Sequence, residues 1–388
     1  MPKTIKDKTT ETEELKVTSK SQLQSILKDN KEDHYNFEER VDWKISTGSL
    51  LLDSYMGGGI GPSLVRVCGS PNEGKSPECL EIIRNLFLTV EKSKCLWVLS
   101  EGRLSQENKE RCGLTFTTNP EEWENHTIFI LETNTYELVI KTLREMVLNN
   151  PEEFVYCFCI DSLDGLMQRD DLHKDFDKNV QVAGAPALSK RLFQSISVGM
   201  FKYGHLCLCT SQITSEIKLD PYSKAPPRMG NFSGGNSLGH WSDFILEFQP
   251  SYNIDYILDN PSGRLNDGKT KPIGKWSKVL IQKSTIETSR KQLIKYPIKF
   301  GRKPSGIWLE YELVDIMLMF SLLKKISKQG GWMELSESII NKIKESSLDE
   351  NLEIKEKFQG EDSVREWLEK YPKLTKFLLE DFKNTLIH

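Results

Sequence analysis

The sequence has no strong excess of one charge and no long hydrophobic run. Its 52 Lys and Arg residues are balanced by 56 Asp and Glu residues, for a formal net charge of -4 at pH 7. This balance argues against a globally basic nucleic-acid binder, but it allows a local basic groove. No stretch approaches the roughly 18 to 20 apolar residues of a membrane span, and the opening MPKTIKDKTTETEEL lacks the apolar core of a signal peptide. We therefore expect a cytoplasmic protein without a membrane partner.

The eight cysteines include two pairs spaced i, i+2 within apolar runs: Cys157 with Cys159, and Cys207 with Cys209. In a reducing cytoplasm we expect their thiols to be unpaired. Because i and i+2 face the same side of a strand, four thiols on neighbouring strands could approach the geometry of a zinc site. Cysteine also packs as a small buried hydrophobe. Core packing is the interpretation that we adopt.

Short apolar runs alternate with longer helical patterns from about residue 45 to 300, which is typical of an α/β fold. Before them, the charged and threonine-rich composition of residues 1 to about 17 predicts a disordered tail. The helical spacing of Leu23, Ile26 and Leu27 predicts a short helix with one apolar face. After about Tyr311 the pattern becomes mostly helical. The sequence therefore predicts a tail and helix at 1–44, an α/β core at 45–305 and a small α-rich domain at 306–388.

The segment GSPNEGKS has the spacing of a phosphate-binding loop. The apolar run SLVRVC leads into Gly69, and a helical pattern follows Ser76, which is the strand, loop and helix context that this motif requires. Loop N–H groups and the helix N-terminus would face the phosphates of ATP, with Lys75 at the β- and γ-phosphates and the Ser76 hydroxyl on Mg²⁺. The predicted nucleotide-binding residues are Gly69, Ser70, Pro71, Asn72, Glu73, Gly74, Lys75, Ser76 and Pro77.

Two residues of this loop region are unusual. Pro77 falls in the first helical turn, where its missing N–H costs little. Glu73 would repel phosphates if its carboxylate faced them. Because such a loop binds through its backbone, we expect the Glu73 side chain to point outward, with a role between subunits or none.

Three other apolar strands end in residues suited to phosphate chemistry. FVYCFCID ends in Asp161, at the strand end where magnesium-binding carboxylates lie. KCLWVLSE ends in Glu101, a candidate general base, and HLCLCTSQ ends in Gln212, a neutral group suited to sensing a γ-phosphate. Each alone could be an ordinary polar strand end. Together, downstream of a phosphate-binding loop, they favour a nucleotide-hydrolysing site.

The order of these motifs resembles the RecA recombinases, bacterial and virus-encoded. STGSLLLDSYMGGGIGPSLVRVCGSPNEGKS is similar to the entry of that family's ATPase core, and CLWVLSEG, CIDSLDGL and TSQI are similar to its catalytic-glutamate, Walker B and switch-glutamine strands. GNFSGGNSL resembles the end of its second DNA-binding loop, and GIWLEYELVDI and GGWMELS resemble its C-terminal domain. The resemblance extends over roughly residues 45–380.

The resemblance implies a RecA-like ATPase core and a DNA-dependent ATPase. The implied function is a recombinase that forms helical filaments of its own copies on single-stranded DNA and promotes pairing and strand exchange with homologous double-stranded DNA. Magnesium would be held by Ser76 and, through water, Asp161, while Lys283 would reach the ATP site of the next subunit and the N-terminal helix would dock on that neighbour. Single-strand-binding and loading proteins are further implied partners, in a bacterial cytoplasm. The sequence, rich in lysine, asparagine and isoleucine, favours a virus-encoded copy in a phage-infected cell.

Two segments correspond to the DNA-binding loops of that family, the first ending at Lys190 and Arg191 and the second spanning about 214–237. The second interleaves basic residues with aromatic and thioether side chains, which suits single-stranded DNA, although a disordered surface loop is the alternative. Because it follows Gln212 directly, sensing of the γ-phosphate could order it. The predicted DNA-binding residues are Lys190, Arg191, Lys218, Tyr222, Lys224, Arg228, Met229, Asn231, Phe232, Gly234, Gly235 and Asn236.

Several positions depart from the family pattern. Gly102 stands where histidine is usual, Ser105 where an acidic residue lies near adenine, and Thr285 where a second basic residue reaches the neighbouring subunit. Arg290 is a candidate substitute for that second basic residue. These differences concern the rate and cooperativity of hydrolysis more than nucleotide binding.

Two other functions stay open. One is a RecA-like accessory or regulatory protein that binds nucleotide without exchanging strands, and the intact Lys75, Glu101 and Asp161 disfavour it. The other is a ring-forming helicase or motor, which the Ser-Thr-Gly-Ser entry and the absence of a motor's extra modules disfavour.

Overall fold

The computed structural model describes residues 18–37, 39–102, 104–172, 184–213, 239–265, 268–326, 331–346 and 352–386. The chain divides into two compact units, Met1–Glu39 and Arg40–His388. The first unit contains helix α1 (Ser19–Asp29), which begins after Thr18, whose side chain accepts a hydrogen bond from the Ser21 N–H. Leu23 and Ile26 are exposed on this helix. The predicted short helix is therefore present.

Ten strands in the described part of the second unit form one mixed sheet. They are β1 (Leu64–Gly69), β2 (Ser93–Leu99), β3 (Thr115–Thr117), β4 (Thr127–Glu132), β5 (Val155–Asp161), β6 (Leu206–Gln212), β7 (Phe244–Phe248), β8 (Tyr256–Leu258), β9 (Pro272–Lys283) and β10 (Leu293–Lys299). The order is β10-β9-β7-β1-β6-β5-β2-β4-β3, with β8 paired to β9. Within this order, each strand from β7 through β1, β6, β5, β2 and β4 to β3 is parallel to its neighbour. Strand β9 pairs in antiparallel fashion with β7, β8 and β10.

Helices cover both faces of this sheet. The α-helices of the second unit that precede β10, together with the first α-helix after it, are α2 (Leu50–Tyr55), α3 (Lys75–Thr89), α4 (Gln106–Cys112), α5 (Tyr136–Leu148), α6 (Arg169–Leu172), α7 (Gly184–Lys202) and α8 (Leu309–Met319). One apolar cluster contains side chains of α3 and α8, such as Ile82 and Leu313, and the other contains side chains of α5 and α7, such as Leu143 and Phe193. Coverage on both faces explains the continuous apolar runs of the central strands. The predicted α/β fold class is confirmed.

The C-terminal part of the second unit combines helices with a small sheet. Its elements are β11 (Leu323–Lys325), β12 (Trp332–Leu335), α9 (Glu337–Glu345), β13 (Lys357–Gln359), α10 (Gly360–Lys370) and α11 (Pro372–Leu386). The helical C-terminal segment was predicted, whereas the antiparallel sheet β11-β12-β13 was not, because strands this short carry little periodic signal. Glu369 of α10 accepts hydrogen bonds from the Trp308 indole and from Lys299 of β10. The boundary at residue 306 stays a prediction.

The cysteine pairs lie on opposite faces of the sheet. Strands β5 and β6 are neighbours, but Cys157 and Cys159 join one apolar cluster and Cys207 and Cys209 the other. In the parallel register Phe158, not a cysteine, pairs with Cys207. All eight thiols are free and buried. These four sulfurs therefore do not converge on one point, and they pack as core side chains.

None of the helices in the described ranges has the length and apolar character needed to cross a membrane.

Candidate functional site

The phosphate-binding motif forms a tight loop between strand β1, which ends at Gly69, and helix α3, which begins at Lys75. Gly74 precedes the helix with φ of +105°, a conformation that strains residues with a side chain. Pro77 is the third residue of α3 and therefore lies in the first turn, as predicted. Free N–H groups at a helix N-terminus attract anions. The loop thus has the backbone of an anion cradle.

The Lys75 side chain folds over this loop. Its Nζ donates to the carbonyl oxygens of Gly69 at 3.0 Å and Ser70 at 2.8 Å. Burial lowers the pKa of Lys75, while the nearby carboxylate of Asp161 acts in the opposite direction. The ammonium group is therefore held at the loop by contacts that phosphate oxygens can replace.

Three oxygen-bearing side chains meet beside the start of α3. The Ser76 hydroxyl donates to Oδ2 of Asp161 at 2.8 Å, and the Thr210 hydroxyl donates to Oδ1 of the same carboxylate at 2.6 Å. Hydroxyl and carboxylate oxygens are the ligands that Mg²⁺ prefers, usually completed by water and substrate phosphates. Within the described residues no cluster of three or more His, Cys, Asp and Glu side chains could hold a metal ion. The three side chains therefore fit a magnesium ion whose remaining ligands are water and the phosphates of a bound nucleotide.

Glu101 lies just beyond the end of β2 and is exposed to solvent. Its Oε1 accepts a short hydrogen bond from the hydroxyl of Ser162, which follows Asp161 through a cis peptide bond. Gly165 lies directly against this group, and a Cβ added there would come within 2.6 Å of the Glu101 Cγ and 2.8 Å of the Ser100 carbonyl oxygen. The small residue allows the glutamate to take this position.

Gln212 is the last residue of β6, and its backbone N–H donates to Oδ2 of Asp164 at 2.6 Å. The register of the parallel sheet pairs Gly69 with Gln212 and Leu99 with Asp161, so these strands end at the same edge. This shared edge brings the predicted groups together around one cavity of about 450 Å³. The predicted residues that line it are Pro71, Asn72, Gly74, Lys75, Ser76, Pro77, Glu101, Asp161 and Gln212.

A second cavity of about 400 Å³ shares Asn72, Gly74, Pro77 and Asn108 with the first. Its lining is partly apolar and aromatic, with Glu78 and Tyr296 among the polar members. The apolar and aromatic side chains that line it include Phe248, Ile298, Phe300 and Ile307. Ser105, at the position of the family's adenine-side acid, lines the first cavity and caps helix α4 by accepting from the Asn108 N–H.

Lys283 lies at the end of β9, apart from these residues. Its Nζ donates to the backbone carbonyls of Gly239 and His240, each at 2.9 Å. Arg290, the candidate second basic residue, donates through Nε to the carbonyl of Ser284 at 3.3 Å. Both contacts are within the chain, and a role at a neighbouring subunit stays a prediction.

Of the predicted DNA-binding residues, Lys190 and Arg191 lie on α7 with exposed side chains. The others lie outside the described residues: Lys218, Tyr222, Lys224, Arg228, Met229, Asn231, Phe232, Gly234, Gly235 and Asn236.

The resemblance had placed Ser162 beside Asp161 on the Walker B strand, but sequence reasoning missed three residues of the site: Asp164, Gly165 and Thr210. Thr210 precedes Gln212 by two positions and lies on the same side of its strand, and that relation was the available signal for it. The hydrogen bond of Asp164 and the close contact of Gly165 depend on the geometry of the turn after β5, which the sequence does not reveal.

Fold and loop together define the class: an α/β protein in which a loop with the spacing of a phosphate-binding motif lies at the carboxyl edge of a mostly parallel sheet. No known family model matches the sequence. The chain is similar to the protein RecA of Bordetella petrii, with 21% identity over 335 residues, which cover 85% of this chain and 77% of that protein. The similarity supports a RecA-like relationship, and the α/β core with its C-terminal helical segment is consistent with a RecA-like core.

Proposed function

We propose that the protein binds and hydrolyses ATP with Mg²⁺ at the first cavity. The observation that carries this proposal is the meeting of Ser76 with Asp161 directly beside the Lys75 loop. A loop alone would bind any anion, whereas a hydroxyl and a carboxylate next to it add the oxygen ligands of a nucleotide-bound magnesium ion.

Each residue would have a definite task in hydrolysis. Lys75 and the N–H groups of the loop would bind the β- and γ-phosphates, and Ser76 and, through water, Asp161 would hold Mg²⁺, which neutralises phosphate charge when bound. Glu101 would accept a proton from the attacking water, and Ser162 would orient its carboxylate. Gln212 would contact the γ-phosphate.

The nucleoside end of ATP would extend into the second cavity. The two cavities share lining residues, and the second offers the apolar and aromatic surface that a nucleobase requires. Phe300, which is 41% exposed, is a candidate stacking surface.

We further propose that ATP controls binding to single-stranded DNA, in a recombinase that forms helical filaments and promotes strand exchange with homologous double-stranded DNA. Support comes from the similarity to RecA and from the order of the motifs. In this proposal Gln212 links the γ-phosphate to the second DNA-binding loop, Lys283 reaches a neighbouring ATP site, and the N-terminal helix docks on that neighbour. The division into regions 1–44, 45–305 and 306–388, the single-strand-binding and loading partners, and the setting in the cytoplasm of a bacterial or phage-infected cell belong to the same proposal.

The test combines electron microscopy with ATPase assays in the presence and absence of single-stranded DNA. Right-handed helical filaments and DNA-stimulated hydrolysis by the wild type are expected, with hydrolysis lost in Glu101→Gln and retained in Glu132→Gln. Glu132 is a suitable matched control because it ends β4, the strand next to β2, at an exposed position. Rings instead of filaments would indicate a motor. Monomers without stimulated turnover would indicate an accessory protein and would overturn the recombinase proposal.

A further inference from the structure

Glu73, the acidic residue inside the phosphate-binding loop, is held by three hydrogen bonds from two residues. Its Oε1 accepts from the backbone N–H of Ser251 at 3.0 Å, and its Oε2 accepts from the Ser251 hydroxyl at 2.6 Å. Nζ of Lys275 lies 3.3 Å from the same Oε2 and 3.3 Å from the Ser251 hydroxyl. The Glu73 and Lys275 side chains are only 14% and 15% exposed. The group is therefore a closed, largely buried triad.

The triad connects the loop to a different part of the sheet. Ser251 follows strand β7, and Lys275 lies on β9, two strands away from the β1 strand that leads into the loop. Glu73 and Lys275 both line the second cavity, together with Asn72 and Gly74 of the loop. The side chain of Glu73 thus ties the loop to the segment after β7 and to β9.

The charge balance of the triad matters because a carboxylate two residues before Lys75 would oppose phosphate binding. Burial raises the pKa of Glu73, but the hydrogen bonds from Ser251 and the charge of Lys275 outweigh this effect and leave the pKa lowered. The carboxylate is therefore ionised at neutral pH. The Lys275 ammonium group is the positive charge in contact with it.

We propose that Glu73, Ser251 and Lys275 form a clamp that positions the phosphate-binding loop, with Lys275 as the positioning residue that cancels the Glu73 charge. The inference rests on the proposed nucleotide binding. Without Lys275 the uncompensated carboxylate repels the bound phosphates, and the repulsion grows with the number of phosphate charges. If Lys275 only supported the fold, its loss would weaken the binding of all these ligands to the same degree, whatever their charge.

Isothermal titration with AMP, ADP, ATP and inorganic tripolyphosphate, each with Mg²⁺, tests the clamp. Lys275→Met should weaken ATP and tripolyphosphate binding by about tenfold or more, ADP binding less and AMP binding least. Glu73→Gln retains an acceptor for Ser251 but carries no charge. The double variant Glu73→Gln/Lys275→Met should therefore recover most of the lost affinity for ATP.

The matched control is Lys278→Met. Lys278 lies on the same strand and pairs with Asp255 at 2.6 Å with similar burial, but it does not line either cavity at the loop. It should change thermal stability without a graded change in affinity. The clamp is wrong if Lys275→Met loses affinity equally for all four ligands or for none of them. It is also wrong if the double variant binds ATP as weakly as Lys275→Met. If instead the wild type binds neither ATP nor tripolyphosphate, or Lys75→Ala binds both normally, the proposed nucleotide function fails and the clamp fails with it.

Discussion

The Ser76 hydroxyl and the Asp161 carboxylate, 85 residues apart in the chain, are joined by a 2.8 Å hydrogen bond. The second oxygen of the same carboxylate accepts from Thr210. Helix α3 and strand β6 therefore fix the direction of the Asp161 carboxylate from two sides. A carboxylate that is already oriented needs little rearrangement to accept a water ligand of a metal ion.

The first prediction concerns the magnesium dependence of ATP binding. Asp161→Asn removes the negative charge and should reduce the Mg²⁺-dependent gain in ATP affinity by about tenfold or more, since a neutral amide is a weaker partner for the hydrated ion. Thr210→Val leaves the charge in place and should have a smaller effect. Titration of MgCl₂ at a fixed concentration of a fluorescent ATP analogue measures both.

Asp243→Asn provides the control for this experiment. Its carboxylate accepts from the Leu64 N–H, at the opposite edge of the sheet from the loop. An unchanged Mg²⁺ dependence in Asp161→Asn, or an equal loss in Asp243→Asn, would contradict the assigned role of Asp161.

The second prediction concerns Gly165, where an added methyl group would press on Glu101 and on the backbone carbonyl of Ser100. Gly165→Ala should lower the rate of ATP hydrolysis by about tenfold or more, because a small displacement of a general base has large effects on rate. The Kd for ATP should change little, since the loop itself is untouched. Steady-state kinetics and equilibrium binding separate the two quantities. Gly239→Ala is the control, because a Cβ there meets no atom of the described residues within 4 Å. A normal hydrolysis rate in Gly165→Ala would contradict the role of Glu101.

The third prediction concerns stability in acid. His205 is fully buried and accepts at Nδ1 from the Tyr156 N–H, and burial lowers its pKa from 6.5 to about 4. As the pH falls below 6.5 the unfolded chain binds a proton that the folded chain does not, so stability is lost as the pH approaches 4. Between pH 7 and pH 5 this residue should account for a loss of about 2 kcal/mol in the free energy of unfolding.

Urea unfolding of His205→Gln at both pH values checks this expectation. The variant is less well packed, so its stability at pH 7 should fall, but its loss between pH 7 and pH 5 should be smaller than that of the wild type. Equal losses in the two proteins would show that His205 does not set the acid limit.

The sequence was informative where a strand is long, buried and followed by a polar residue. The four apolar runs SLVRVC, KCLWVLSE, FVYCFCID and HLCLCTSQ form β1, β2, β5 and β6. The edge at which these strands end explains why Glu101, Asp161 and Gln212 meet. The short strands β3 and β8 lacked such a signal, since three residues cannot show a period. β10 was missed as well, because Lys295, Pro297 and Lys299 interrupt its apolar character.

The contacts of individual side chains were harder to predict. Glu73 looked unfavourable in the loop because its partners, Ser251 and Lys275, are about 180 and 200 positions further along the chain. The sequence predicted an outward side chain but could not identify what compensates its charge. Likewise the spacing of the cysteine pairs allowed a four-thiol cluster beside the core packing that we expected, and the register of β5 and β6 shows that the two pairs lie on opposite faces.

The last prediction concerns stability at alkaline pH and the buried carboxyl group of Glu78. Oε2 of Glu78 accepts from the Tyr296 hydroxyl at 2.8 Å, while Oε1 is buried and has no hydrogen-bond partner among the described residues. Burial raises the pKa of Glu78 to about 8, so the folded chain keeps a proton that the unfolded chain loses above about pH 4.5. Stability from this group is therefore present below pH 4.5 and is lost as the pH rises to 8.

Glu78→Gln keeps the shape and an acceptor for Tyr296 but cannot ionise. It should leave stability nearly unchanged at pH 4.5 and raise the free energy of unfolding at pH 8 by up to about 4 kcal/mol. Glu312 is the informative contrast, because its pKa is also raised by burial, to about 7, but its carboxyl accepts from the Ser49 hydroxyl and from the N–H groups of Leu50 and Leu51 at the start of α2. Glu312→Gln should lose part of this cap and be destabilised at pH 4.5, and its deficit should be smaller at pH 8, where the wild type has lost the stability that its protonated Glu312 provides. Urea titrations at pH 4.5 and pH 8 measure all three proteins, and a Glu78→Gln variant that is no more stable than the wild type at pH 8 would show that the buried carboxyl is not protonated in the folded chain.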